Sequence, residues 1–229
     1  TALDTNTLTI NDEGQLTMFG GLVSVDGTGS SLGLLSIEDG GEIFGHGTIS
    51  LDETQELEFG EVLFRNRGRI TVGDPSIVLL GEPPARTLRI QTPNTTDSSP
   101  LRILDGAFDT VRVRRNSTLD IDLPAGGSIG GPPGELATIF LEGNATFDAN
   151  VRTQLNPDNR LWIDSGEVDL GIVVLPPAPA IVRGVERFSL FGAELFLPDD
   201  DDAVVFEVFL SATGAEINNS GTVRLEAGG

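Results

Sequence analysis

The sequence predicts an all-β fold, a parallel β-solenoid with Pro-rich loop excursions, and three observations lead there. Apolar and polar residues alternate with period two in short runs and almost never with helical period. Gly (29) and Pro (13) are spread along all 229 residues rather than gathered in one tract. Short segments echo one another along the chain, as repeat folds require.

The alternating runs are Leu8-Thr9-Ile10, Leu22-Val23-Ser24-Val25, Thr48-Ile49-Ser50-Leu51, Arg69-Ile70-Thr71-Val72, Val111-Arg112-Val113 and Leu119-Asp120-Ile121-Asp122-Leu123. Side chains in a strand point alternately to its two faces, so Val, Ile and Leu go inward while Thr, Arg and Asp go outward. Gly, Asn, Asp or Pro bounds each run, and the spacing leaves no room for crossover helices.

One echo reads polar-x-Gly-x-apolar-x-apolar. It occurs at Asn66-Arg67-Gly68-Arg69-Ile70-Thr71-Val72, at Asp164-Ser165-Gly166-Glu167-Val168-Asp169-Leu170 and at Asn219-Ser220-Gly221-Thr222-Val223-Arg224-Leu225. A second places an aromatic-Gly pair before a strand ending in Asp: Phe19-Gly20 to Asp26, Phe44-Gly45 to Asp52, and Phe191-Gly192 to Asp199. Asn, Asp and Gly tolerate the left-handed conformation of tight turns. With about 20–25 residues per coil, the chain makes roughly 10 coils, and strands about 4.8 Å apart give a rod roughly 48 Å long.

The segments Gly40 to Ser50 and Phe64 to Gly73 resemble the passenger repeats of autotransporters and filamentous-haemagglutinin-like adhesins. The likeness covers residues 14–73, with fainter echoes at 116–171 and 214–229. It implies a right-handed parallel β-helix (β-solenoid) and a surface-exposed, extracellular role. Spacing is irregular here, and Pro-rich breaks fall at Pro83-Pro84, 91–100, 126–134 and 175–180. Pro lacks the ladder donor, so these are excursions or bends. Residues 1–229 are read as one elongated domain with a candidate break near 91–100. An antiparallel β-sandwich, divided in two domains, is the competing architecture.

The net charge of −21 arises from 35 acidic residues against 14 basic ones, all Arg. Such a surface disfavours nucleic acid and anionic membranes as partners. No Cys is present, so disulfides and thiolate chemistry are excluded. No apolar run reaches the length of a membrane helix. The chain begins at Thr1 rather than Met and is expected to be a mature product or an excised segment.

His46 is the only histidine, flanked by Gly45 and Gly47, and reads as a turn residue. β-Helical glycosidases with Gly-His-Gly add clustered aspartates and a Lys; this chain has no Lys, and no Asp pair precedes His46. No nucleophile-elbow motif accompanies it either, so the chain is not expected to be an enzyme. A glycoside hydrolase on a β-helix, using two carboxylates, is the minor enzymatic alternative. Asp199, Asp200, Asp201 and Asp202 form a run of hard oxygen donors, a candidate calcium site or otherwise a solvated acidic loop. Arg112, Arg114 and Arg115 are the only basic cluster, read as ion-pairing residues or as partners of the aspartate run on a neighbouring subunit. Trp162 points opposite Leu161 and Ile163; with those in the core it is either exposed, able to stack on a sugar or a partner, or packed under a loop. Four sequons stand at Asn94, Asn116, Asn144 and Asn218, relevant only in a source that glycosylates.

No cofactor is expected besides calcium. The terminal strands carry no helical cap, and bare solenoid ends favour stacking. The expected function is therefore an extracellular structural surface protein self-assembling end to end into a fibre or surface layer, with copies of itself as partner. An adhesin or stalk binding surface glycans is the alternative, and a viral fibre segment a third reading.

Overall fold

The computed structural model describes residues 2–5, 7–11, 13–27, 33–38, 40–53, 61–66, 69–73, 86–91, 102–104, 110–122, 128–130, 137–164, 168–169, 174–175 and 178–225. Among them every regular element is a strand, so no helix is long and apolar enough to cross a membrane. Among the described residues all pairings are parallel except one short hairpin. The described strands do not form an antiparallel sandwich.

The strands recur in three stacks. The first runs through β2 (Thr7–Ile10), β4 (Gly33–Ile37), β6 (Glu61–Asn66) and β9 (Arg102–Leu104). These four strands form a sheet of their own; in the later layers the same place in chain order, ahead of a second-stack strand, is held within the large sheet by β12 (Ser128–Gly130), β15 (Arg152–Leu155) and the second halves of β19 (Ala180–Phe191) and β21 (Ala203–Thr213). The second stack holds the first halves of β3 (Gln15–Gly27) and β5 (Glu42–Glu53), then β7 (Arg69–Val72), β10 (Thr110–Val113), β13 (Thr138–Glu142), β16 (Arg160–Asp164), β20 (Glu194–Leu197) and β22 (Glu216–Asn219). In the third lie β1 (Ala2–Thr5), the second halves of β3 and β5, and β8 (Arg86–Gln91). It continues through β11 (Ser117–Asp122), β14 (Thr146–Ala149), the first halves of β19 and β21, and β23 (Thr222–Leu225). Between β16 and β19 the hairpin β17 (Val168–Asp169) and β18 (Val174–Leu175) stands apart from the stacks.

Register explains why the stacks hold. In the second stack Leu16, Ile43, Ile70, Val111, Ile139, Leu161, Leu195 and Ile217 are successive partners. Ile43 through Leu195 are fully buried. The third stack carries Val23, Ile49, Ile90, Ile121 and Ala149 in one such column, and Leu88, Leu119, Phe147, Val182 and Phe206 in another. A parallel ladder sets like side chains about 4.8 Å apart, so each apolar residue packs on those above and below. Each fully buried aliphatic side chain contributes about 1.5–3 kcal/mol. Phe147, Phe188 and Phe206 fill the interior with tilted and edge-on ring contacts 5.9–6.1 Å apart.

Tight turns close the layers. The N–H of the fourth turn residue donates to the first carbonyl at Asn11–Gly14, Glu38–Gly41, Arg114–Ser117, Glu142–Ala145 and Asn156–Asn159, at 2.8–3.0 Å. The third residue adopts positive φ in each: Glu13, Gly40, Asn116, Asn144 and Asp158. Elsewhere the backbones approach too closely for a side chain. A Cβ on Gly45 would overlap the Met18 carbonyl oxygen, and one on Gly184 that of Ala149.

Layer length differs from the sequence expectation of 20–25 residues. Along the second stack the steps are 27, 27, 41, 28, 22, 34 and 22 residues from Leu16 to Ile217, giving eight levels rather than ten. Pro-rich connections lengthen individual steps without disturbing the register. The expected break near 91–100 falls largely outside the described residues, yet β7 and β8 before it pair directly with β10 and β11 after it.

Leu161 lies fully buried at mid-stack. Leu161→Ala should cost about 2–5 kcal/mol, through lost contacts and the cavity left behind. Urea unfolding checks this, and Trp162→Phe on the opposite side of the same strand should cost less.

Candidate functional site

Most of the residues singled out from the sequence gather at one edge, the corner where the second stack turns into the third. From the N-terminal end this corner carries Phe19 to Leu22, Gly45-His46-Gly47, Gly73, Arg114 to Ser117, Glu142 to Ala145, Asp164, Asp199 to Asp202 and Ser220-Gly221. The turn chemistry demanded there accounts for these residue types: αL-tolerant Asn, close-packed Gly, and carboxylates accepting from turn amides.

Arg112 projects outward from β10. Its Nε donates to Glu142 Oε1 at 2.9 Å, and its guanidinium lies 4.6 Å from the centre of the Phe140 ring. The backbone N–H of Arg115 donates to the other Glu142 oxygen at 3.1 Å, so one carboxylate ties two residues of the preceding layer. Arg114 lies 5.6 Å from the Phe44 ring centre, and Arg115 is buried. Arg112 thus has its acidic partner within the chain, one layer on.

Asp199, Asp200 and Asp201 are exposed, whereas Asp202 is 1% exposed. Asp202 Oδ2 accepts from the Asp199 amide at 2.9 Å, and its carbonyl accepts from Thr222 N–H at 2.8 Å. The fourth aspartate is therefore a corner brace, locking its own turn to β23. Among the described residues no three His, Cys, Asp or Glu side chains are arranged to hold a metal ion. Between the arginine and aspartate turns sits Asp164, partner of Glu142 in the ladder. Partial burial raises its pKa above the usual carboxylate value, and the charges of Asp202, Glu142 and Asp199 raise it further, with Arg112 opposing.

Trp162 is half-buried rather than exposed. Leu161 and Ile163 are core residues, as alternation required, but Trp162 packs between Phe140 (5.6 Å) and Phe196 (4.9 Å, edge-on), its direct ladder partners, with Arg160 5.5 Å from its ring centre. Its Nε1 is buried with no hydrogen-bond partner. Phe140, Phe196 and Arg160 cover part of the ring.

Asn116 and Asn144 are stacked turn residues, and Asn144 Nδ2 donates to Asn116 Oδ1. Their conformation gives a structural reason for asparagine at both sequons. Asn94 lies outside the described residues, and only the backbone of Asn218 is described, in β22. His46 is half-buried opposite Phe19, beside Gly20.

Sequence reasoning passed over the ladders of opposite charge. Arg89 pairs with Asp120 (2.6 Å), Arg183 with Asp148 (2.8 Å) and Arg160 with Glu194. With Arg112–Glu142, the sequence separations are 31, 35, 34 and 30 residues, one layer each. An Arg and an acid at outward positions about one layer apart were the signal available. Exposed pairs of this kind contribute little individually, about 0–1 kcal/mol, and serve to hold register.

The folded state binds the Asp164 proton more tightly than the unfolded chain does. Its contribution is therefore lost as pH rises from the unfolded value of 3.8 through the raised folded pKa. Asp164→Asn should raise Tm at neutral pH, and the difference should shrink towards zero below about pH 3.8. Thermal melts from pH 3 to pH 7 check the sign.

No protein-family model, curated protein or solved structure matches the chain. The functional reading accordingly rests on the stacks, the corner and the two ends.

Proposed function

We propose that the chain is a right-handed parallel β-solenoid acting as an extracellular structural element, assembling end to end with copies of itself into a fibre or surface layer. The right hand follows from the strong preference of parallel crossover connections. One observation carries the functional reading: large exposed apolar side chains are segregated to the ends of the stack. Among the described residues these are Leu3, Phe19, Leu22, Phe191, Phe209, Ile217 and Leu225. Leu3, Phe19 and Leu22 belong to β1 and β3, at one end. Phe209, Ile217 and Leu225 belong to the last layer, and Phe191 pairs with Thr213 of that layer.

Ile217 and Leu225 continue the inward columns of Leu195 and Phe206, yet are 52% and 65% exposed. A core residue at a bare ladder edge lacks only the next layer, and another ladder end supplies both hydrogen bonds and apolar cover. Unlike ends meeting head to tail form a contact that does not close, and such contacts propagate into filaments. Among the described residues the sides carry Thr, Arg, Asp and Glu together with the outward row Phe140, Trp162 and Phe196, whose rings are half-buried against one another.

Net charge sets the conditions. At −21, copies repel one another, and the Debye length falls from about 10 Å at 0.1 M salt to about 3 Å at 1 M. Assembly should therefore strengthen with salt. Sedimentation velocity across a concentration series is the test. The expected result is growth of large species with concentration and salt, and at least a tenfold higher midpoint for Ile217→Asp/Leu225→Asp. A chain that stays monomeric at high concentration in 1 M salt contradicts the proposal.

A further inference from the structure

We infer that β1 is an exchangeable cover, occupying at the N-terminal end the strand position that β23 of a second copy takes on assembly. This rests on the end-to-end reading and adds a mechanism to it. The two ends are not matched in shape. At the C-terminal end the second half of β21, β22 and β23 form one layer, and among the described residues none of the three pairs with a strand beyond it. At the N-terminal end, among the described residues, β2 and the Gln15–Phe19 half of β3 likewise pair with no strand further out, but β1 sits one strand further out on the third stack. That step is one strand spacing, about 4.8 Å. A level end meeting a stepped one touches only at β1, and the other two stacks stay a strand's width apart. With β1 displaced, all three stacks meet.

The strand itself is weakly held. It has four residues and, among the described residues, pairs along one side only. Leu3 is 44% exposed and Asp4 is exposed, whereas the residues beneath Leu3 and Thr5 are not: Val23 is 5% and Val25 0% exposed. Leu3 and Thr5 lie over Val23 and Val25. β23 brings Val223 and Leu225 at the same alternation, replacing a threonine over the core with a leucine, and sets Arg224 outward. The incoming strand therefore buries more apolar surface than the one it replaces. Against it stands the tether: β1 is joined to β2 through Asn6, which gives it a high effective concentration. Exchange then requires a high concentration of free ends, which keeps dilute chains apart.

The experiment weakens the cover in the full chain. Leu3→Asp sets a carboxylate beside the buried Val23 column and should release β1. Sedimentation velocity should then show assembly at a concentration at least tenfold lower than for the parent chain, and Leu3→Asp/Leu225→Asp should abolish that gain. A chain beginning at Thr7 is the second variant and should behave as Leu3→Asp does. If the parent assembles and neither variant assembles more readily, the cover is wrong while end-to-end assembly stands. If parent and variants all remain monomeric, both fail.

Discussion

Everything in this molecule depends on parallel register between inward apolar columns. Each side chain in the column from Ile43 to Leu195 finds its packing partner in the layers above and below it. A slip of one residue would turn that column to solvent and bring Thr71, Arg112, Phe140 and Trp162 inside. Register is thus enforced at every layer by burial. Turn lengths are free to vary, and steps from 22 to 41 residues deliver the chain to the same column.

The all-β, parallel character was legible because alternation is local: Val111-Arg112-Val113 and Leu161-Trp162-Ile163 state their own inside and outside. The repeat was much less so. The echo at Arg69 to Val72 belongs to the second stack, its counterpart at Val168-Asp169 lies in the separate hairpin, and the one at Thr222 to Leu225 ends the third stack. Similar words occupy three different structural places, since any short strand after a tight turn spells polar-Gly-apolar. Phe19 and Phe44 are likewise not ladder partners: Phe19 pairs with His46 and Phe44 with Thr17. The true repeat is a pair of apolar residues two apart at unequal intervals, and unequal intervals hide periodicity.

The candidate site residues were found for a structural reason. Asn116 and Asn144 stand where φ must be positive, Asp202 where a turn amide needs an acceptor, and Glu142 where Arg112 and the Arg115 amide converge. Such positions look functional in a sequence because they break the surrounding pattern. For Trp162 alternation sets direction only and leaves exposure open. Phe140 and Phe196, a layer away on each side, decide how much of the ring remains open. The apolar ends were not legible at all: Ile217 and Leu225 read as ordinary core, and only the last layer's position makes them surface.

Burial in the middle layers and exposure at the outermost described layers follow from one arrangement. The inward columns are the cause of both properties, since they consume the apolar residues in the middle layers and leave them uncovered at the two extremes. Site-resolved amide hydrogen exchange on the dilute chain tests this most directly. Protection should peak in the middle layers, at Val111, Ile139 and Leu161, and fall away towards Leu3 and Leu225. A flat profile, or one with its greatest protection at the termini, would contradict it.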